Sequence, residues 1–504
     1  MARSVLIIGA GPGGLGAAIL LAKEGVRVTV VEQSGRIGGR TSAIEEGGYR
    51  FDVGPTFFMY PRVLEEIFSA TGHDLHQEVE MVRLDPQYRI TFGAGGDLLC
   101  TPDLEQMECA VAALAPADAG ALRRFMDDNR EKLARFRPCM ENPFLSWRDV
   151  VAPRILSLLP FLAPWRSLND ELGRYFSDPR VRLAFSFQSK YLGMSPFRCP
   201  SLFSILSFIE YEYGVYHPIG GCNAVTTAMA RIARRLGVEF RLNEPVEELL
   251  VEGGRTVGIR TATGETRADA VIVNADFADF MTRHVPATAR RRWSDGKIAR
   301  SQYSCSTFMM YLGIEGCYDL PHHSIYIARD YAGNLEEIEK QHVLSADPSF
   351  YVQNACVTDP TLAPPGHSAL YVLVPVSHMH PNIDWSRERE RFRALVISKL
   401  AQLGITNLES RIRFEKITTP ADWESQGPIY RGATFNLAHN LGQMLHLRPR
   451  NRFEDIPGTY LVGGGTHPGS GLPVIFESSR ITSRLVLEDL GMSSAYIQPA
   501  AQRA

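Results

Sequence analysis

Two glycine-rich segments at opposite ends of the chain have the composition of loops that let a polyphosphate approach backbone. The first is Val5-Leu-Ile-Ile-Gly-Ala-Gly-Pro-Gly-Gly-Leu-Gly16, and the second is Gly458-Thr-Tyr-Leu-Val-Gly-Gly-Gly-Thr-His-Pro-Gly-Ser-Gly-Leu-Pro473. A pyrophosphate rests against main-chain N–H groups, and a Cβ at the point of approach would hold it off, so such loops select glycine. Gly9, Gly11 and Gly14 have the G-x-G-x-x-G spacing. Glu32, about 20 residues further on, supplies a carboxylate able to bind a ribose hydroxyl, and an acid there disfavours a 2′-phosphate. The chemistry implied is dinucleotide binding.

The flanking elements fit that reading. Val5 to Ile8 is a β-branched apolar run suited to a buried parallel strand. Leu15 to Lys23 reads as a helix whose N-terminus faces the phosphates, where free N–H groups favour an anion. Gly25 stops it, and Val26, Val28 and Val30 form a second strand leading to Glu32. The uncharged run from Val5 to Ala22 is long enough to suggest a membrane span, but its first half is crowded with glycine in the dinucleotide spacing. No small-residue cleavage site marks it as a signal peptide. After Glu32 come Arg36-Ile-Gly-Gly-Arg40 and Tyr49-Arg-Phe-Asp-Val-Gly-Pro-Thr56, neither of which a nicotinamide domain needs. The R-x-G-G-R stretch resembles that of two-dinucleotide-binding flavoproteins, where backbone and an arginine lie beside the pyrophosphate of FAD. The resemblance implies FAD as the cofactor.

At 504 residues the chain is too long for one core and suits two domains. Its 45% hydrophobic and 22% charged content is that of a globular protein, and a net charge of −3 gives no basis for nucleic-acid binding. Cys100, Cys109, Cys139, Cys199, Cys222, Cys305, Cys317 and Cys356 form no C-x-x-C pair and read as reduced thiols of a cytosolic protein. His322-His323 and His378-Met-His380 lack a spaced Cys or carboxylate partner, so no metal is expected. In the middle of the chain, Tyr216-His-Pro-Ile-Gly-Gly221 introduces a helix over 223–236. Strands follow over 237–242 and 246–251, a hairpin over 256–260 and 265–268, and a buried strand over 270–275. The expected fold is α/β: a discontinuous Rossmann-like FAD domain (1–85, 216–276 and 451–491) with an α+β substrate domain. The latter takes a membrane-contacting helical region from 86–215 and its remainder from 277–450, and 492–504 is a flexible tail.

With these segments in view, the chain resembles the bacterial-type phytoene desaturases, the carotenoid branch of FAD-dependent oxidoreductases, over nearly its whole length. Thr466-His-Pro-Gly and Gly471-Leu472 match that family's C-terminal motif. Tyr191-Leu-Gly-Met-Ser-Pro196 looks like its Y-x-G-x-S-P segment, and Gly214-Val-Tyr-His-Pro-Ile-Gly-Gly221 like G-V-W-x-P-x-G-G with Tyr216 in place of tryptophan. Thr358-Asp-Pro-Thr-Leu-Ala-Pro-Pro-Gly366, Tyr430-Arg-Gly and Leu437-Ala-His-Asn440 also match. The resemblance implies that Gly9, Gly11, Gly14, Glu32, Gly39, Arg40, Gly54, Val246, Gly464, Gly465, Thr466, Leu472, Pro473 and Val474 hold FAD. It implies hydride removal from an allylic methylene of a linear polyisoprenoid, proton loss from the neighbouring carbon, and recognition of the hydrocarbon in an apolar tunnel. The helix opened by Leu472-Pro473-Val474 would aim N–H groups at the flavin N1/C2 carbonyl. Two departures, His217 for a bulky aromatic and Val474-Ile-Phe-Glu477 for a glycine-and-leucine run, are expected to line the substrate channel. They leave C40 phytoene and C30 dehydrosqualene open, along with polyene oxidation or isomerisation. An amine-oxidase-like enzyme and a flavin-free prenyl-binding escort protein are the other readings.

The sequence singles out no catalytic base: Glu477, Glu210 and Lys190 are candidates in plausible stretches. The strand Phe308-Met-Met-Tyr-Leu312 suits either core packing or a polyene channel. Arg154-Ile-Leu-Ser-Leu-Leu-Pro-Phe-Leu-Ala-Pro-Trp-Arg166 is apolar, has basic ends and is broken by Pro160 and Pro164, so it suits a membrane interface rather than a span. Residues 201–209 are expected to extend that surface, with Arg290-Arg-Arg-Trp293 a solvated helix face. The expected setting is cytoplasmic and peripherally membrane-associated. The sequence leaves the oligomeric state open.

Overall fold

A computed structural model describes residues 3–163 and 165–492. Pro164 and the tail from 493 onward, together with the side chains of Arg154, Leu159 and Pro160, lie outside the described residues. Five short strands form a parallel sheet in the order Glu239–Arg241, Arg27–Val31, Ser4–Ile8, Ala270–Val273, Thr459–Leu461. Ile8 is in register with both Val31 and Val273, so three strands end level with one another. The loops that follow, bearing Gly9, Glu32 and Asn274, meet at the carboxyl edge, where open α/β sheets bind their ligands.

The helix Pro12–Lys23 covers the central strand, and the helix Leu472–Asp489 lies against it. Their axes come close because Gly16 offers no side chain: a Cβ there would stand 2.7 Å from Ser479 Oγ. Ser479 Oγ instead donates to the Gly13 carbonyl at 2.8 Å. Together with the helix Asn223–Arg235, these elements bury Leu15, Ile19, Met229, Leu485 and Val486 in one core. The segment 246–267 forms the expected antiparallel strands, Val246–Glu252, Arg255–Thr261 and Gly264–Arg267.

The second sheet has seven strands, in the order Ile412–Thr418, Ser306–Glu315, His367–Val376, Phe350–Asn354, His323–Ile327, Tyr88–Phe92, Asp97–Cys100. All its pairings are antiparallel except that of His323–Ile327 with Tyr88–Phe92. Segments on either side of the middle nucleotide-sheet block therefore share one sheet rather than forming separate units. Within Ser306–Glu315 the side chains alternate by strand pleat. Phe308, Met310 and Leu312 pack under the helix Trp385–Leu400, whereas Thr307 and Met309 face the central cavity.

The helical region departs from one expectation and narrows another. Residues 201–209 are not a surface patch: Leu202, Ile205 and Phe208 are buried, and Phe203, Leu206 and Ile209 line the cavity. In 155–165, Ile155 and Leu162 are buried and Phe161 packs beneath the Arg135 guanidinium, leaving Leu156 and Trp165 exposed. The 290–293 turn is not a solvated face either. Trp293 is 2% exposed, and the Arg290 guanidinium donates to the carbonyls of Val285 and Trp293 and pairs with Asp295.

The third glycine of the N-terminal loop carries a test of this packing. A Cβ on Gly14 would lie 2.3 Å from the Gly9 carbonyl oxygen, which is backbone and has little freedom to move. Gly14→Ala is expected to destabilise the protein by about 1–3 kcal/mol, the usual cost of overpacking, visible as a lowered Tm in thermal melts. An unchanged melt would show that the loop yields.

Candidate active site

A cavity of about 700 Å³ begins at the carboxyl edge of the parallel sheet and runs towards the seven-stranded sheet. Gly9 turns the chain out of the first strand with φ +99°, and a Cβ there would stand 2.8 Å from the Asn274 carbonyl oxygen. Asn274 Nδ2 donates to the Gly9 carbonyl at 3.0 Å. The Arg36–Arg40 loop crosses directly over this turn: Gly38 N–H donates to the Ala10 carbonyl at 2.9 Å, and a Cβ on Gly39 would be 3.3 Å from Gly11 Cα. Glu32 Oε2 accepts the Ala10 N–H at 2.8 Å, and its Oε1 accepts both donors of Ser34 at 2.9 Å. The carboxylate thus fixes the glycine turn while sitting on the cavity wall.

Arg40 is held from a direction its motif does not disclose. Its Nη1 donates to the Thr434 carbonyl at 2.5 Å. With its amide turned to satisfy both neighbours, Asn436 accepts from Arg40 Nη2 at 3.1 Å and donates to Asp276 Oδ2 at 2.8 Å. Burial lowers the guanidinium pKa and raises that of Asp276, and their mutual attraction opposes both shifts. Arg448, 1% exposed, organises the C-terminal wall by donating to the carbonyls of Gly464 (2.7 Å), Thr466 (3.1 Å) and Leu437 (3.2 Å). Burial pushes its pKa down to about 9. Neither Asp276 nor Arg448 belongs to a glycine motif, and only the strand end before Asp276 hinted at its place.

Of the residues expected to hold the cofactor, Gly9, Gly11, Glu32, Gly39, Arg40, Gly54, Val246, Gly464, Leu472, Pro473 and Val474 line the cavity. Gly14, Gly465 and Thr466 do not. Gly14 packs helix on strand, Gly465 faces Phe277 where a Cβ would lie 2.8 Å from its Cβ, and Thr466 Oγ1 donates to the Pro449 carbonyl at 2.6 Å. Val474 and Ile475 are on the wall, but Phe476 and Glu477 face away from it, and Glu477 pairs with Arg480 at 3.1 Å. His217 is also off the wall: it is 1% exposed and its Nε2 lies 3.3 Å from Asp359 Oδ2.

Beyond the glycine walls the cavity becomes apolar, lined by Phe57, Phe187, Leu192, Phe203, Ile205, Leu206, Ile325, Leu335, Ile338 and Phe435. Lys190 is on this wall, 3.8 Å from Glu339. Glu210 lies behind it, linked to it by Tyr191.

Two glycine turns closed to any Cβ, an acid at the second strand end and a helix N-terminus opposite fit a dinucleotide whose redox end extends past the sheet. The protein is an FAD-dependent oxidoreductase. The family described as flavin containing amine oxidoreductase matches residues 12–487. A Methylomonas 4,4'-diapophytoene desaturase (4,4'-diapolycopene-forming) is 42% identical, over 96% of this chain and 95% of the relative. An all-trans-zeta-carotene desaturase of Myxococcus xanthus is 41% identical, over 97% of this chain and 94% of its own. Among solved structures, a Methanosarcina mazei oxidoreductase superposes with a TM-score of 0.63 at 18% identity, covering 96% of this chain and all (100%) of that one, a likeness of fold. The chain belongs to the flavin containing amine oxidoreductase family and, within it, to the bacterial-type carotenoid desaturases.

Glu32→Ala removes a charged acceptor from the turn and from the place where the ribose is expected. Binding of FAD is expected to weaken by about 1.5–3 kcal/mol, roughly 10- to 150-fold in Kd, with the fold retained. Fluorescence titration of the apoprotein measures it, and an unchanged Kd would place the carboxylate off the ribose.

Proposed function

We propose that this protein is an FAD-dependent desaturase that introduces conjugated double bonds into a linear polyisoprenoid hydrocarbon of the carotenoid type. The observation that carries the reading is the continuity of one cavity from the glycine walls into an aromatic and aliphatic limb. A hydrocarbon offers no hydroxyl or ammonium to grip, so shape and apolar contact must recognise it. An amine oxidase would also use aromatic rings, so the choice against an amine rests on the relatives that are 41–42% identical over nearly the whole chain, both named as carotenoid desaturases. Bound FAD supplies the acceptor for a hydride. In this reading residues 1–85, 216–276 and 451–491 form the FAD-binding unit and the rest the substrate side. Gly9, Gly11, Glu32, Gly39 and Arg40 serve the nucleotide and pyrophosphate, while Gly54, Val246, Gly464 and the N–H groups of the helix opened by Leu472, Pro473 and Val474 complete the cradle. The apolar limb orients the chain and excludes water.

Purified protein is expected to carry about one FAD per chain, released on denaturation, and to convert phytoene, zeta-carotene or 4,4'-diapophytoene to more conjugated products. Product spectra from a host supplied with each substrate identify the preferred length. A flavin-loaded protein inert towards all three would overturn the reading.

The substrate dissolves in membranes, and we place the face that meets them around residues 147–165 and 441–447. Trp147, Val151, Leu156, Trp165, Leu441 and Leu447 are all exposed, and the turns bearing Trp147 and Leu447 touch. Trp165, Phe197 and Leu441 share a surface hollow with Arg166, Arg198 and Arg300, a pairing of apolar and cationic groups suited to an interface with anionic lipid. Met444 and Leu445, between the exposed leucines, line the cavity itself. No helix among the described residues is long and apolar enough to cross a membrane. Replacing Trp147, Leu156 and Trp165 with serine is expected to move the protein off phosphatidylserine vesicles in flotation assays while flavin content stays constant, since each such side chain contributes about 1.5–3 kcal/mol when fully buried. Flotation equal to wild type would remove this face from consideration.

A further inference from the structure

Desaturation releases one proton for each hydride removed, and a channel lined by hydrocarbon side chains offers few atoms to receive it. Besides Lys190, which stands 3.8 Å from Glu339, the wall carries Tyr191, Tyr326, Tyr331, Tyr351 and Tyr371; two of these phenols, Tyr191 and Tyr351, flank the ring of Phe57 at centroid distances of 5.4 and 5.5 Å. Phe57 follows closely on Gly54, so this part of the wall adjoins the cofactor cradle. The two phenols differ in what stands behind them. Tyr351 shares hydrogen bonds with Thr56 Oγ1 (2.8 Å) and His323 Nδ1 (2.7 Å). Tyr191 Oη donates to Glu210 Oε1 at 2.8 Å.

Glu210 is 0% exposed, yet no cation balances it among the groups that bond its carboxyl. Its Oε2 accepts from Tyr88 Oη at 2.8 Å and Gln188 Nε2 at 2.7 Å. Tyr211 and Cys100 stand one step further out, around Tyr88. All the donors are neutral, and burial raises the pKa values of Tyr88, Tyr191, Tyr211 and Cys100, so none of them titrates where the carboxyl does. A purely structural carboxylate in such a place would ordinarily be paired with Lys or Arg. Three hydrogen bonds from neutral donors instead leave the carboxylate able to form and able to be neutralised.

We propose that Tyr191 and Glu210 form a proton relay for the desaturation, a proposal that rests on the desaturase reading above. Hydride loss leaves an allylic cation. The neighbouring C–H bond then breaks, its electron pair becomes the new C=C bond, and its proton goes to Tyr191 Oη. The phenol's own proton passes along the existing hydrogen bond to Glu210 Oε1, so both oxygens end neutral and the charge of the cation is cancelled. Tyr191 is the catalytic residue, because it reaches the cavity, and Glu210 is the positioning and proton-holding residue behind it. The carboxyl pKa, raised by burial to about 7, places its ionisation in the range where a general base works best.

The test uses flavin-loaded full-length protein. In wild type, infrared titration without substrate is expected to show carboxyl ionisation near pH 7 from Glu210 and from Glu477, which burial raises to about the same value away from the cavity, and only the Glu210 part is expected to be absent in Glu210→Gln. The net single-turnover rate of flavin reduction by the polyene should rise with pH through the same point, because hydride transfer is reversed unless ionised Glu210 takes up the proton that makes it permanent. Tyr191→Phe is expected to slow that reduction about 100-fold or more, the range typical of a lost acid–base group, with substrate Kd and the flavin spectrum unchanged. In Glu210→Gln the rate should fall and the pH inflection vanish. Should Glu210→Gln fail to fold, Tyr191→Phe, which loses only a hydroxyl, decides the matter alone. Reduction at the wild-type rate in Tyr191→Phe, or an intact inflection in Glu210→Gln, would overturn the relay while leaving the desaturase reading standing. Wild-type protein whose flavin stays oxidised with every polyene would overturn both.

Discussion

Asn274 touches both glycine walls at once. Its amide nitrogen holds the Gly9 carbonyl, and its amide oxygen occupies the space that a Cβ on Gly13 would enter at 2.7 Å and one on Gly463 at 3.1 Å. Three chain segments far apart in sequence are pressed together there, and none has a side chain to spare. On the two walls that Asn274 meets, the contact is made by glycine, so the backbone there comes close without a side chain between. The level ending of the strands, the close approach of the helices Pro12–Lys23 and Leu472–Asp489 and the crossing of the Arg36–Arg40 loop all assume that spacing.

The cavity combines two kinds of wall. At the nucleotide end, charged groups are buried but matched: Arg40 faces Asp276, and Arg448 is surrounded by carbonyl oxygens. At the hydrocarbon end the charges are few: Lys190 reaches the wall beside Glu339, and Glu210 lies behind the phenol of Tyr191. Low polarity there strengthens whatever dipoles remain, so a single hydroxyl on that wall has more influence than it would at a wet surface.

How much of this was legible in the sequence depended on how local the determinants were. The first strand, its glycine turn, the following helix and Glu32 form one continuous pattern, and the structure places them as read. The strand 270–273 and the C-terminal helix were visible because apolar runs and glycine clusters mark them. The seven-stranded sheet was not, since Tyr88–Phe92 pairs with His323–Ile327 and nothing near either strand announces the other. Apolar composition also cannot tell inward from outward: Leu162 and Trp165 lie three positions apart, one in the core and one in solvent. For the same reason 201–209 was read as surface although it forms cavity wall. Gly465 and Thr466 belong to the same motif as Gly464 but turn to Phe277 and Pro449, and a motif does not record which of its members point where. The partners of Arg40 and the carbonyl contacts of Arg448 depend on tertiary placement alone.

The sheet edge strand Thr459–Leu461 and the helix that follows it complete a unit whose central strand begins at Ser4. The central strand lies between Arg27–Val31 and Ala270–Val273, but the sheet gains its edge strand only at Thr459–Leu461, so during synthesis the unit stays open on that side until nearly the whole chain is made. Contacts so distant in sequence make for slow folding. Until the final helix docks, the glycine end of the cavity lacks one wall, and the apolar faces that helix covers, Leu15 and Ile19 among them, stand open to association with other chains. Because the glycine walls come from both ends of the chain, a ligand that touches both binds only the completed fold and stabilises it by doing so.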